Sequence, residues 1–193
     1  MFSFPRNISE IGKKVLQNCK KLTTVTFAGE DGQKRPDSMD LGMCIGCDSL
    51  ISLNVPRMAN RQFETFFRDP DTNEVRIPTA LKTVKFYTGS NLGEGEFYKT
   101  RLEEIDISNL NIKIIPEGAF KENSNLKIMR LPSNITEIHA EAFQNCPKLQ
   151  EVYINNQLYD NIIPDGVSVL GGRAFYNTGI TSITFPHLLT TIP

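Results

Sequence analysis

Cysteine, aspartate and histidine are the side chains of this chain with the chemistry to hold a metal or run a redox cycle. Cys44-Ile-Gly-Cys47 has CxxC spacing, which puts two thiols on one turn, as in half a zinc site or a dithiol redox pair. A tetrahedral zinc site needs two further ligands, and the chain has no second such pair. Asp69-Pro-Asp71-Thr-Asn73 opens like a calcium loop. Its sixth position is Glu74, where glycine makes the turn, and its twelfth is Ala80, where a bidentate carboxylate closes the site. His139 and His187 are the only histidines, and no cysteine or carboxylate is spaced beside them as a triad or metal cluster. Gly93-Glu-Gly95 does not fit a phosphate-binding loop. Asn7-Ile-Ser9 and Asn134-Ile-Thr136 are glycosylation sequons, which matter only in a eukaryotic secretory source. These motifs yield no catalytic residue, no metal ligand set and no cofactor, and the chain reads as non-enzymatic.

The residues that position these side chains recur. Ile135-Thr-Glu-Ile138-His-Ala-Glu-Ala142-Phe143-Gln-Asn-Cys146-Pro-Lys-Leu149-Gln-Glu-Val152-Tyr-Ile154 has counterparts at 112–131, at 167–185 and at 8–27. Anchored on the residue that opens each Leu-x-x-Ile-x-Ile stretch, seven units start their strands at Leu22, Leu50, Leu81, Leu102, Leu126, Leu149 and Ile180. The spacings are 28, 31, 21, 24, 23 and 31 residues, a period in the range of stacked-repeat solenoids. Three insertions, Gly29 to Asp37, Ala59 to Asn73 and Asn155 to Pro164, are polar or rich in turn formers and read as loops. The unit ending at Leu81 is degraded, and Phe63, Phe66 and Phe67 there suggest a local helix. Each Leu-x-x-Ile-x-Ile reads as a short strand with alternate residues inward, so stacked units build a parallel sheet. Both ends cut through the frame, so residues 1–193 read as a single solenoid domain and a segment of a longer array.

The register reassigns the thiols. Cys47 falls on the position of Cys19 and Cys146, three before the anchor, and Cys44 on that of Phe120, Phe143 and Phe175. Both then read as core residues. Net charge is -1, with 21 basic and 22 acidic residues, which favours neither nucleic acid nor an anionic membrane. No apolar run is long enough to cross a bilayer, and the start, Met-Phe-Ser-Phe-Pro-Arg, does not read as a signal peptide.

The pattern Ile-x-x-Ile-x-x-x-Ala-Phe-x-x-Cys-x-x-Leu-x-x-Ile-x-Ile-Pro resembles the BspA-like (Treponema-type) leucine-rich repeats, most closely over Asn109 to Pro193 and over residues 4 to 27. The resemblance implies an α/β leucine-rich-repeat solenoid, with a parallel β-sheet on its concave face and short helices or turns on the convex one. It also implies a bacterial surface or secreted protein that binds host proteins or other cells.

The outward residues of the sheet are then the candidate site. One row runs Thr26, Asn54, Lys85, Asp106, Arg130, Tyr153 and Thr184; the row one step earlier runs Thr24, Ser52, Thr83, Glu104, Ile128, Glu151 and Ser182. Small neutral residues lie at the ends, with charge and an aromatic ring in the middle. That pattern reads first as a ladder of cross-strand ion pairs and second as a contact patch, since Arg and Tyr anchor interfaces; the two are not exclusive. The expected activity is non-catalytic binding of a protein ligand, a host extracellular protein or another cell's surface, through Lys85, Glu104, Asp106, Arg130, Glu151 and Tyr153. The expected location is the cell surface or the secreted fraction. A structural spacer, or a targeting arm for another domain, is the alternative.

Overall fold

Alternation of apolar and polar residues dictates the main sheet. In chain order the elements are β1 (Phe2–Phe4), β2 (Glu10–Ile11), β3 (Thr24–Phe27), β4 (Ser38–Met39), β5 (Ser52–Val55), α1 (Gln62–Thr65), β6 (Thr83–Phe86), β7 (Glu104–Asp106), β8 (Ile114–Ile115), β9 (Ile128–Leu131), β10 (Glu137–Ile138), β11 (Glu151–Ile154), β12 (Gln157–Tyr159) and β13 (Val169–Leu170). The computed structural model describes residues 1–5, 8, 10–27, 38–39, 42–55, 62–87, 89–159 and 162–192. The insertion at 29–37 and the sequon residues Asn7 and Ser9 lie outside the described residues.

Eight strands form one sheet in the order β1-β3-β5-β6-β7-β9-β11-β12. Every pairing up to β11 is parallel and one unit apart, with Lys85 opposite Asp106, Asp106 opposite Arg130, and Arg130 opposite Tyr153. Val25, Leu53, Val84, Ile105, Met129 and Val152 point inward and are buried. On the opposite flank β8, β10 and β13 form a short parallel sheet from the Ile-x-x-Ile pairs. β2 and β4 form a further two-stranded parallel pair, and among the described residues helix is confined to α1. Among the described residues no helix is long and apolar enough to cross a membrane.

Between the sheets runs a column of aromatic rings. Phe97, Phe120, Phe143 and Phe175 stack face to face at 5.5, 5.1 and 5.3 Å, tilted by no more than 13°. The degraded unit supplies three buried rings, Phe63 in the helical turn α1 and Phe66 and Phe67 in the turn just after it, so the helix the sequence suggests covers only the first. Backbone bonds fix the register, with the amides of Phe97, Phe120 and Phe143 donating to the carbonyls of Ala119, Ala142 and Ala174. Gly171 is glycine for a steric reason. A Cβ there would lie 2.2 Å from the amide nitrogen of Ala140 in the unit below.

The C-terminal end departs from the sequence reading. The Asn155 to Pro164 insertion is not a plain loop: Asn155 and Asn156, both at positive φ, turn the chain back, and β12 pairs antiparallel with β11. Adjacent left-handed residues suit a tight hairpin turn whose twist matches the strands. The edge of β11 is thereby occupied. The run Ile180 to Phe185 forms no strand, and Ile183 and Phe185 are exposed. Ser182 and Thr184 therefore do not extend the outward rows of the sheet.

Candidate functional site

The outward face carries the six predicted residues on four neighbouring strands: Lys85 on β6, Glu104 and Asp106 on β7, Arg130 on β9, and Glu151 and Tyr153 on β11. The register brings them together as diagonal and direct neighbours. Lys85 Nζ lies 3.0 Å from Asp106 Oδ2, and Arg130 Nε donates to Glu104 Oε1 at 2.6 Å. The guanidinium of Arg130 sits over the Tyr153 ring, 4.3 Å from its centroid, within cation–π range. The Tyr153 hydroxyl donates to Glu151 Oε2 at 2.9 Å.

Electrostatics hold Arg130 charged and Tyr153 protonated. Burial works against the charge of Arg130, but Glu104, Asp106 and Tyr153 outweigh it and raise its pKa. The Glu151 carboxylate raises that of Tyr153, so the phenol remains a donor. Asp106 departs from expectation, because it is buried. The amide and hydroxyl of Ser108 donate to its Oδ1 at 3.0 and 2.6 Å, leaving Oδ2 to Lys85. It therefore shapes the face more than it presents itself.

Sequence reasoning missed Leu158. It lies directly opposite Tyr153 in the antiparallel pair β11–β12, so both side chains emerge on the same face, and Leu158 is 57% exposed. The consecutive asparagines at 155 and 156 were the available signal. The face thus ends in an arginine, a tyrosine and an uncovered leucine side by side.

The other candidates resolve structurally. Lys14 reaches over from the first unit, 2.6 Å from Asp71 and 3.6 Å from Asp69, so its ammonium occupies the calcium-like loop. His139 Nε2 contacts Glu137 at 2.9 Å. Among the described residues no group of three or more His, Cys, Asp or Glu could hold a metal ion. Cys44 takes the phenylalanine position of its unit, donating its amide to Phe66 O as the stacked phenylalanines do to their neighbours.

Cys47 belongs to a buried polar column. Its Sγ donates to Leu16 O at 3.1 Å; Cys146 does the same to Phe120 O, and Asn123 Nδ2 to Phe97 O at 2.6 Å. Each reaches back to the equivalent carbonyl of the preceding unit. Burial holds the Cys146 thiol high, pushed up to about 11, as suits a packed, protonated donor.

A groove of about 450 Å³ runs along the turn flank between Lys99, Arg101, Glu122, Ser124 and Asn145. Glu122 accepts from Tyr98 and pairs with Lys99 there.

Comparison with solved structures returns bacterial leucine-rich repeat proteins. One from Bacteroides ovatus is 20% identical over 97% of this chain and 43% of its own, with a TM-score of 0.46. The leucine-rich repeat protein of T. pallidum is 18% identical over 88% and 58%, with a TM-score of 0.36. A leucine-rich cell surface protein of Faecalibacterium prausnitzii is 18% identical over 97% and 61%, with a TM-score of 0.38. The chain thus spans roughly half the length of these proteins. Comparison with curated proteins finds no match. The model of the BspA-type leucine-rich repeat region, in six copies, matches residues 1–92 and 78–161. With the repeat register, the parallel sheet and the phenylalanine column in place, the chain belongs to the BspA-type leucine-rich repeat family.

Proposed function

We propose that this chain is a non-catalytic protein-binding module of a surface-exposed or secreted protein, serving adhesion or host-protein interaction, and that it binds through the concave face of its sheet. The observation carrying this reading is the cluster Arg130, Tyr153 and Leu158. Tyrosine and arginine dominate binding hot spots, and here the ion pair to Glu104 and the bond to Glu151 fix both before any partner arrives. Preorganisation lowers the ordering cost of association, and Leu158 offers adjacent apolar area. Family membership supports the assignment to protein interaction and to the cell surface.

A structural spacer is the second reading. One observation favours it: Lys85 and Arg130 already have carboxylate partners on the same face, so the charges satisfy one another without a ligand.

The test is a pull-down from extracellular-matrix and epithelial-surface extracts, with folding verified by circular dichroism. The wild-type chain is compared with two variants. Lys85→Glu with Asp106→Lys keeps the pair and inverts its polarity; Arg130→Glu with Tyr153→Ala dismantles the anchor cluster. A partner retained by the wild type and lost by the second variant supports the concave-face reading. A partner retained by all three moves the site to another surface, and no partner for any of them supports the spacer.

A further inference from the structure

The first two units bring the Cys47 thiol and the Cys19 amide to one carbonyl. Leu16 O accepts the amide of Cys19 at 3.2 Å and the thiol of Cys47 at 3.1 Å. Leu16 and Asn18 donate their amides to Met43 O and Ile45 O, so the turn of the first unit lies directly on that of the second. The contact is close enough to require Gly46. A Cβ there would lie 2.3 Å from Asn18 Oδ1, and the residue adopts φ +70°. Cys19 and Cys47 hold the same position in consecutive units, and the Cys19 backbone amide lies against the Cys47 sulfur. Directly stacked units bring equivalent residues within the reach of a disulfide, about 4.4–6.8 Å between Cα atoms.

The two thiols differ in access. Cys19 is exposed, while Cys47 and Cys44 are buried. Cys44 donates to the Cys47 sulfur and holds the Cys47 thiol below its usual value, whereas the same contact and burial drive Cys44 far above it. Thiolate is the nucleophile in exchange. The column therefore places an accessible entry thiol next to a buried resolving one.

We propose that Cys19 and Cys47 are a redox-linked pair that closes a disulfide between the first and second repeats, with Cys44 as the positioning residue. The oxidant is a small-molecule disulfide. The Cys19 thiolate attacks one of its sulfurs, forming a mixed disulfide and expelling one thiolate. The Cys47 thiolate then attacks Cys19 Sγ, closing the Cys19–Cys47 bond and expelling the second. Two protein thiols are oxidised, one disulfide is reduced to two thiols, and the protons released at Cys19 and Cys47 are taken up by the leaving thiolates. Closure would staple the first unit to the second. Cys146 has no such option, since its column neighbours are Asn123 and Thr178.

The test treats the native 193-residue chain with glutathione disulfide, quenches by alkylation in denaturant and maps the cysteines by mass spectrometry. The expected product is a Cys19–Cys47 linkage two hydrogens lighter than the reduced chain, with Cys44 and Cys146 alkylated. Cys44→Ser should keep the linkage but slow its closure several-fold at neutral pH, and Cys19→Ser should abolish it and leave all remaining thiols reduced. Glutathione retained on Cys19 without closure, or a Cys44–Cys47 loop that forms equally in Cys19→Ser, overturns the proposal. The wild-type map alone decides, so misfolding of a variant does not protect the idea.

Discussion

The stretch from Leu102 to Ile154 and the stretch from Asn155 to Ile192 are built from the same repeat and end in different states. In the first, spacings of 24 and 23 residues keep each strand, ring and polar donor above its equivalent, and Phe120 is enclosed by Phe97 and Phe143. In the second, the convex half keeps its place: β13 pairs with β10, and Phe175 stacks on Phe143. The strand half does not. Its place beside β11 is taken by β12, and Ile183 and Phe185 face solvent where Met129, Leu131 and Val152 are buried. A repeat therefore closes by two independent attachments, the ring column and the strand ladder, and the Asn155 to Pro164 insertion uncouples them. Nearest-neighbour stacking makes such local failure tolerable, because each unit answers only to the units beside it.

If enclosure in the column sets the value of a ring, its middle and its end should respond differently. Phe120→Ala removes a fully buried ring between two others and should cost about 3–5 kcal/mol. Phe175→Ala removes a half-buried ring with one stacked neighbour and should cost under about 2 kcal/mol. Urea denaturation of both variants measures the gap, and equal losses would break the distinction between enclosed and terminal units. Asn123→Ala falls next. It leaves the carbonyls of Phe97 and Phe120 without their amide donor, an expected loss of about 1–3 kcal/mol by the same measurement.

The uncoupling itself can be reversed. Deleting residues 155–163 joins Ile154 to Pro164, as Leu131 joins Pro132, and shortens the 31-residue interval to 22. With β12 gone, Ile183 to Phe185 should pair with β11 and gain tenfold or more in hydrogen-exchange protection, equivalent to about 1.4 kcal/mol. Unchanged exchange there would show that something other than β12 keeps the seventh strand off the sheet.

The strands were legible because Leu-x-x-Ile-x-Ile fixes which residues face inward, and Cys44 and Cys47 were legible as core positions through the same register. The left-handed residues that turn each unit were not. Lys99 and Glu122 adopt φ 55° and 60°, and neither residue type announces a turn; stacking on the neighbouring unit imposes the conformation. The hairpin was hidden for a related reason. Asn155-Asn156 is a turn signal, but it sits inside an interval that the period reads as spare length. Of the site, the positions of all six residues followed from alternation. The burial of Asp106 depends on Ser108, two residues outside the repeat's outward rows, and the partnership of Leu158 with Tyr153 depends on a strand the period does not contain.

The smallest expected effect concerns the ion pairs along the regular stretch. Glu103 is held between Lys127 at 2.8 Å and Lys82 at 3.1 Å, and Glu141 meets Lys121 at 2.6 Å. Hydrogen bonds from Lys127 and Lys82 draw Glu103 below its ordinary value near 4.5, and one from Lys121 does the same to Glu141. A carboxylate depressed in the folded state binds fewer protons there than in the unfolded chain. Its contribution is therefore complete above the ordinary carboxylate range and is lost as pH falls through the folded value. The pairs are solvent-exposed, so screening keeps the contribution well below that of either ring substitution. Urea midpoints of the wild type and of the double variant Glu103→Gln, Glu141→Gln, compared between about pH 6 and about pH 3, should show a flatter acid limb in the variant. High salt should close the difference. Identical limbs at low salt would mean that these ladders follow the repeat without stabilising it, leaving the ring column and the buried amides to hold the units together.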